Sequence, residues 1–134
     1  MEYNCLIMNI NIPVSLGELI DKITILEIKQ DKIKDSEKNK NITFELNLLI
    51  DKLNSFPSNN ELVDLKNKLK EVNTQLWDIE DQIRICEKRN NFDREFINLA
   101  RNVYITNDKR FEIKNKINKK FSSDIQEVKS YEEY

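Results

Sequence analysis

The chain of 134 residues has no histidine, one glycine (Gly17) and two prolines (Pro13 and Pro57). Without histidine there is no imidazole to ligate zinc, shuttle protons or complete a Ser-His-Asp or Cys-His arrangement. A phosphate cradle of the Walker or Rossmann type needs several glycines and cannot be built from one. So few turn residues also argue against a β-rich fold. The two cysteines, Cys5 and Cys86, lie far apart in the sequence. No secretory signal accompanies them, so a disulfide is not expected, and Cys86 reads as a small buried hydrophobe. No stretch approaches the ~18 consecutive apolar residues of a membrane span, and the chain does not open on a basic and apolar leader. A cytoplasmic protein is expected.

The balance of 22 basic and 24 acidic residues gives a net charge of −2. The two signs are interleaved, and no basic stripe carries spaced aromatics. That excludes a nucleic-acid interface and, equally, a charged membrane-binding face. Hydrophobic residues make up 39% and charged residues 34% of the chain, a mixture that suits amphipathic helices with thin cores and long solvated faces.

What is present is periodicity. Leu62, Leu65, Leu69, Val72, Leu76, Ile79, Ile83 and Cys86 are spaced 3, 4, 3, 4, 3, 4, 3, a heptad seam that needs other helices to shelter it. Upstream, Ser15 and Glu18 form a capping box after Pro13, and Val14 and Leu19 stand as a hydrophobic staple. Leu16, Leu19, Ile23, Leu26 and Ile33 then predict a helix from Leu16 to Ile33 or Lys34. Residues 35–40 contain no apolar side chain and read as a loop. Ile42, Leu46, Leu49, Leu53 and Phe56 predict a second helix ending before Pro57. Ser58 and Glu61 offer a cap for the seam helix, which extends to about Lys88. Asn90 and Asn91 break the chain, Asp93 caps the last helical segment, and Phe92 and Ile97 can staple it. One long helix is expected over residues 93–121, although the rhythm also allows a break at Thr106–Asn107.

Residues 1–12 alternate differently. Leu6, Met8, Ile10 and Ile12 recur every second residue, the pattern of a short strand. A lone strand has to pair with a symmetry mate or lie over the helices. Residues 122–134 form a polar tail with Tyr131 and Tyr134 near its end, expected to act as an arm.

Several constellations could carry chemistry. Where the α-helical rhythm of the last segment calls for apolar residues, Asn107, Arg110 and Lys114 stand instead. Buried cations are costly unless paired or bound to an anion, so these residues mark either a cationic pocket between helices or the solvated end of a helix. All five arginines (Arg84, Arg89, Arg94, Arg101, Arg110) lie between residues 84 and 110, and arginine suits carboxylate or phosphate groups. Arg84 also has Glu80 and Glu87 within one turn, as ordinary helix ion pairs would place them. Trp77, Glu80 and Asp81 share a helix side, and the two acids are candidates for acid or base roles. Joined by Glu18, Asp21 and Glu27 they would make a divalent-cation site, but the paired E-x-x-E and E-x-x-D signature of all-helical pyrophosphatases is missing. Small helical chorismate mutases offer an analogy in residue types only. No metal and no cofactor are expected.

Four blocks resemble the signature of an uncharacterised domain family of bacteria and their viruses: IPVSLGELIDKITILEIK (Ile12–Lys29), LWDIEDQIRICE (Leu76–Glu87), FDREFINLARNVYITNDKR (Phe92–Arg110) and KSYEEY (Lys129–Tyr134). They cover roughly half of the chain, including both ends, and Asp35–Ser58 is where the likeness cannot be followed. The resemblance implies a single-domain member and no established activity. Trp77, Glu80, Asp81, Arg84, Arg101, Asn107 and Arg110 all fall inside these blocks.

The expectation is one all-α domain over residues 1–134, an antiparallel bundle or coiled coil of four to five helices with an N-terminal strand or arm, acting as a homodimer. Two functions stand open. One is a non-enzymatic interaction, adaptor or regulatory protein that meets a protein partner through a helix face. The other is a pocket protein or small enzyme for an anionic metabolite, with Trp77, Arg84, Arg101, Asn107, Arg110 and Lys114 as ligand-binding residues and Glu80 or Asp81 as acid or base.

Overall fold

A computed structural model describes residues 8–121, 123 and 125–134. Among them it contains four α-helices and no strand: α1 (Leu16–Lys32), α2 (Ser36–Asn54), α3 (Asn60–Lys88) and α4 (Arg94–Lys120). Residues 8–14 are exposed and form neither helix nor strand, and the rest of the strand expected at residues 1–12 lies outside the described residues.

Local signals explain the helix starts. The Ser15 hydroxyl accepts the Glu18 backbone N–H at 3.1 Å, as the capping box requires. Asp93 caps α4, which runs without a break. At α3 the cap is Asn59, whose side chain accepts from the N–H groups of Glu61 and Leu62, rather than Ser58. The loop expected at residues 35–40 is instead mostly the first turn of α2, beginning at Ser36 behind the Asp35 cap. That turn needs no apolar residue because its polar groups close the preceding helix. The Asn39 amide donates to the carbonyls of Ile33 (2.8 Å) and Gln30 (3.2 Å), which α1 leaves open at its end. Between α3 and α4, Asn90 takes a left-handed conformation (φ 52°) and the Asn91 N–H returns to the Cys86 carbonyl. This is the Schellman ending for which asparagine substitutes for glycine.

The longest helices, α3 and α4, form an antiparallel hairpin, and α1 packs on both. Helix α2 runs back along the other side of α1 and packs against no other helix backbone. Helix α1 is therefore buried on two sides. Leu19, Ile23 and Leu26 meet Ile42 and Leu46 of α2, while Ile20 meets Leu65, Leu69 and Ile117 of the hairpin. The heptad seam of α3 is only partly enclosed in one chain. Leu65, Leu69 and Cys86 are buried, whereas Val72, Leu76, Ile79 and Ile83 are half-buried. Among the described residues no helix is long and apolar enough to cross a membrane.

Candidate functional site

The stripe Gly17–Asp21–Thr24–Ile28 is one face of α1, buried throughout. Two of its members are polar and a third has no side chain. Gly17 sets the distance to α4. Its N–H donates to the Asn118 side-chain oxygen at 2.7 Å. A Cβ at Gly17 would stand 2.6 Å from the Lys114 carbonyl oxygen and 2.8 Å from that Asn118 oxygen. The backbones of α1 and α4 therefore approach more closely here than any side chain permits.

One turn on, the Asp21 carboxylate is 1% exposed and lies between α3 and α4. Arg110 donates to it in fork geometry, Nε to Oδ1 at 2.9 Å and Nη2 to Oδ2 at 2.5 Å. The Asn73 amide donates to Asp21 Oδ1 and to the Thr24 hydroxyl, both at 2.9 Å. The Lys114 ammonium, its side chain 6% exposed, reaches Glu18 at 2.8 Å, Glu127 at 2.9 Å and Asp21 at 3.9 Å. A buried carboxylate is tolerable only with such partners. The hydrogen bonds that Arg110 donates to Asp21 hold the Arg110 pKa above its ordinary value, against the opposing effect of burial. Burial works to lower the Lys114 pKa, but the hydrogen bonds to Glu18 and Glu127 outweigh it and the pKa is raised. Both cations are thus firmly charged.

Glu127 belongs to a C-terminal strap, residues 125–134, that returns along α4. Asp108 anchors it, accepting from Lys129 Nζ at 2.9 Å and from the Tyr134 hydroxyl. The Tyr134 ring meets Tyr104 edge-on, centroids 5.3 Å apart. The Lys129 ammonium stands over Phe111 at 5.4 Å and over Tyr131 at 5.5 Å from the ring centroids. Between strap and helix runs a groove of about 1090 Å³, with Asn107, Arg110 and Lys114 among its lining residues.

This anchor carries a pH dependence at both ends of the scale. Hydrogen bonds from Tyr134 and Lys129 hold the Asp108 pKa below its usual value. The strap contact is therefore intact above ordinary carboxylate pKa values and is lost as pH falls through the lowered one. The same Asp108 hydrogen bond pushes the Tyr134 pKa up to about 12. That contribution is complete below the ordinary tyrosine pKa near ~10 and disappears as pH rises through about 12. Strap release is expected as pH falls below the ordinary carboxylate range near ~4 and as it rises through about 12, with the helices still folded at the acid end. Tyrosine fluorescence read beside far-ultraviolet circular dichroism checks it; a strap signal that changes between pH ~5 and ~9, or whose alkaline change is complete at the ordinary tyrosine pKa near ~10, would contradict the assignment.

The structure gathers Asn107, Arg110 and Lys114 into one groove and disperses the other candidates. Arg84 is exposed and pairs with Glu80 one turn away at 3.6 Å, the ordinary helix ion pair. Arg101 and Asp81 are exposed and Trp77 is half-buried, and none of these lines the groove. Among the described residues no group of three or more Asp, Glu or Cys side chains is gathered closely enough to hold a metal ion. The sequence pattern does not single out Asn73, Asn118, Asp108, Glu127 or Lys129, and it raises Asp21 only as a helper to a metal. A signal for Asp21 does exist: spacings of 4, 3 and 4 put it on the buried stripe between Gly17 and Ile28.

Comparison with known proteins decides the family. DUF6165, a family of unknown function, matches residues 8–134. The chain belongs to that family. The match passes through Asp35–Ser58 as well. No curated protein and no solved structure matches this DUF6165 member.

Proposed function

We propose that this DUF6165 chain is a non-enzymatic interaction protein of the cytoplasm that works as a homodimer and presents its helices to a protein partner. One observation carries the reading. Met8, Ile10 and Ile12, alternate residues of the segment before α1, are 81%, 82% and 68% exposed. An apolar row of this kind is buried when a second copy supplies the surface. The α3–α4 hairpin adds to the case. Toward its tip Ile85, Phe92 and Ile97 are exposed, and the seam residues Ile79 and Ile83 are only half-covered. Coiled-coil pairing with a second hairpin would complete their burial.

The reading as a pocket for an anionic carboxylate or phosphate draws on the groove along α4. It has less support, because Arg110 and Lys114 already face Asp21, Glu18 and Glu127.

Light scattering coupled to size exclusion tests the proposal. The expected mass is twice that of the 16.0 kDa chain, and Ile10→Glu is expected to halve it while leaving the helical circular dichroism unchanged. A wild-type protein that stays monomeric throughout the micromolar range would defeat the reading.

A further inference from the structure

The groove beside α4 contains the residues that the sequence pattern assigns to an anion, yet its electrostatics have the opposite sign. Three cations stand in or against it: Arg110, Lys114 and Lys129. Six carboxylates surround them, those of Glu18, Asp21, Asp108, Glu127, Glu132 and Glu133. Asp21, Glu18 and Glu127 satisfy the first two cations, and Asp108 satisfies the third. Glu132 and Glu133 line the groove with no lysine or arginine at ion-pair distance among the described residues. An anion entering here would meet net negative charge.

The walls agree with that sign. Tyr104, Phe111, Tyr131 and Tyr134 all line the groove. Aromatic faces carry negative quadrupole charge and attract ammonium groups at up to about 6 Å. The chain itself shows the interaction. The Lys129 ammonium lies at 5.4 Å and 5.5 Å from two ring centroids and 2.9 Å from a carboxylate oxygen. Two rings and a carboxylate around one ammonium are the recognition chemistry of an organic cation. The groove, at about 1090 Å³, is far larger than one lysine head group requires.

We propose that the groove between α4 and the C-terminal strap is a binding site for organic ammonium ions, in which the chain's own Lys129 fills one ammonium position. Such a ligand is either a free polyamine or the lysine side chain of another polypeptide. The proposal stands apart from the dimer reading and does not depend on it. An incoming ammonium competes with Lys129 for Asp108, Phe111 and Tyr131, or extends past it toward Glu132 and Glu133.

Calorimetric titration of the full chain with spermidine, and separately with an acetylated lysine-containing pentapeptide, tests it. Spermidine alone binding assigns the site to free polyamines; the peptide binding as well assigns it to lysine side chains. Lys129→Met removes the internal competitor and is expected to tighten binding about tenfold, while Phe111→Leu is expected to weaken it by a similar factor. Circular dichroism and tyrosine fluorescence matching wild type establish that both variants keep their helices and strap. Three results would overturn the proposal: no binding of either probe to wild type or to Lys129→Met, affinity unchanged in Phe111→Leu, or phosphate competing for the groove as effectively as spermidine.

Discussion

Asp21→Ala is expected to lower the unfolding free energy by about 3–5 kcal/mol, a large share of what a domain of this size possesses. The carboxylate is 1% exposed and, among the described residues, is the only acid that Arg110 engages by two hydrogen bonds. Its removal strands a half-buried guanidinium and takes one of the two acceptors from the Asn73 amide. Lys114 retains Glu18 and Glu127, which keeps the loss toward the lower end of that range. Asp21→Asn preserves the shape and one acceptor, so it is expected to fall between wild type and alanine. Urea denaturation followed by circular dichroism measures all three. A loss in Asp21→Ala below about 1 kcal/mol would mean that the network is solvated in solution and that Asp21 does not organise the α1–α4 contact.

Gly17→Ala gives the second large effect, and its sign is opposite to what helix propensity dictates. Inside a helix alanine is favoured over glycine by about 1 kcal/mol. Here the added methyl would stand 2.6 Å from a main-chain oxygen of α4, which no rotamer change can move aside. The helices must separate, pulling Asn118 from the Gly17 N–H and Lys114 from Glu18. A net loss of about 2–3 kcal/mol is expected, as for overpacked cores. Thermal unfolding checks it, and a variant as stable as wild type or better would show that α1 and α4 do not meet so closely. Because both substitutions strain the same polar network, their combination is expected to cost less than the sum.

The fold is legible in the sequence where spacing and caps agree. The caps at Ser15 and Asp93, with one long helix preferred over residues 93–121 despite the polar residues at Asn107, Arg110 and Lys114, place α1 and α4 to within a residue or two. The first turn of α2 escapes such a reading because its polar residues cap a neighbouring helix instead of burying a face, and apolar periodicity is blind to that work. The seam of α3 is visible, but spacing alone does not tell that Asn73, lying between its rows, is buried against α1. The site is half legible. Arg110 and Lys114 stand out as charges in a core rhythm, which raises the right question about their partners. The answer requires tertiary structure, since Asp21 is 89 residues from Arg110 and Glu127 reaches Lys114 only after the chain has reversed along α4. Arg84 and Arg101 share the composition signal without sharing the location, because clustering along a chain does not ensure clustering in space.

Helix α2 lies against α1 along its length and reaches the Ile20–Leu65–Leu69–Ile117 cluster only through Leu53 near its end, so it is the most lightly held of the four helices. Opening α2 would uncover Leu19, Ile23 and Leu26 while Asp21, Arg110 and Lys114 stayed in place. Local opening on that flank is expected to leave the charges on the other undisturbed, with α1 standing between them as a bulkhead does.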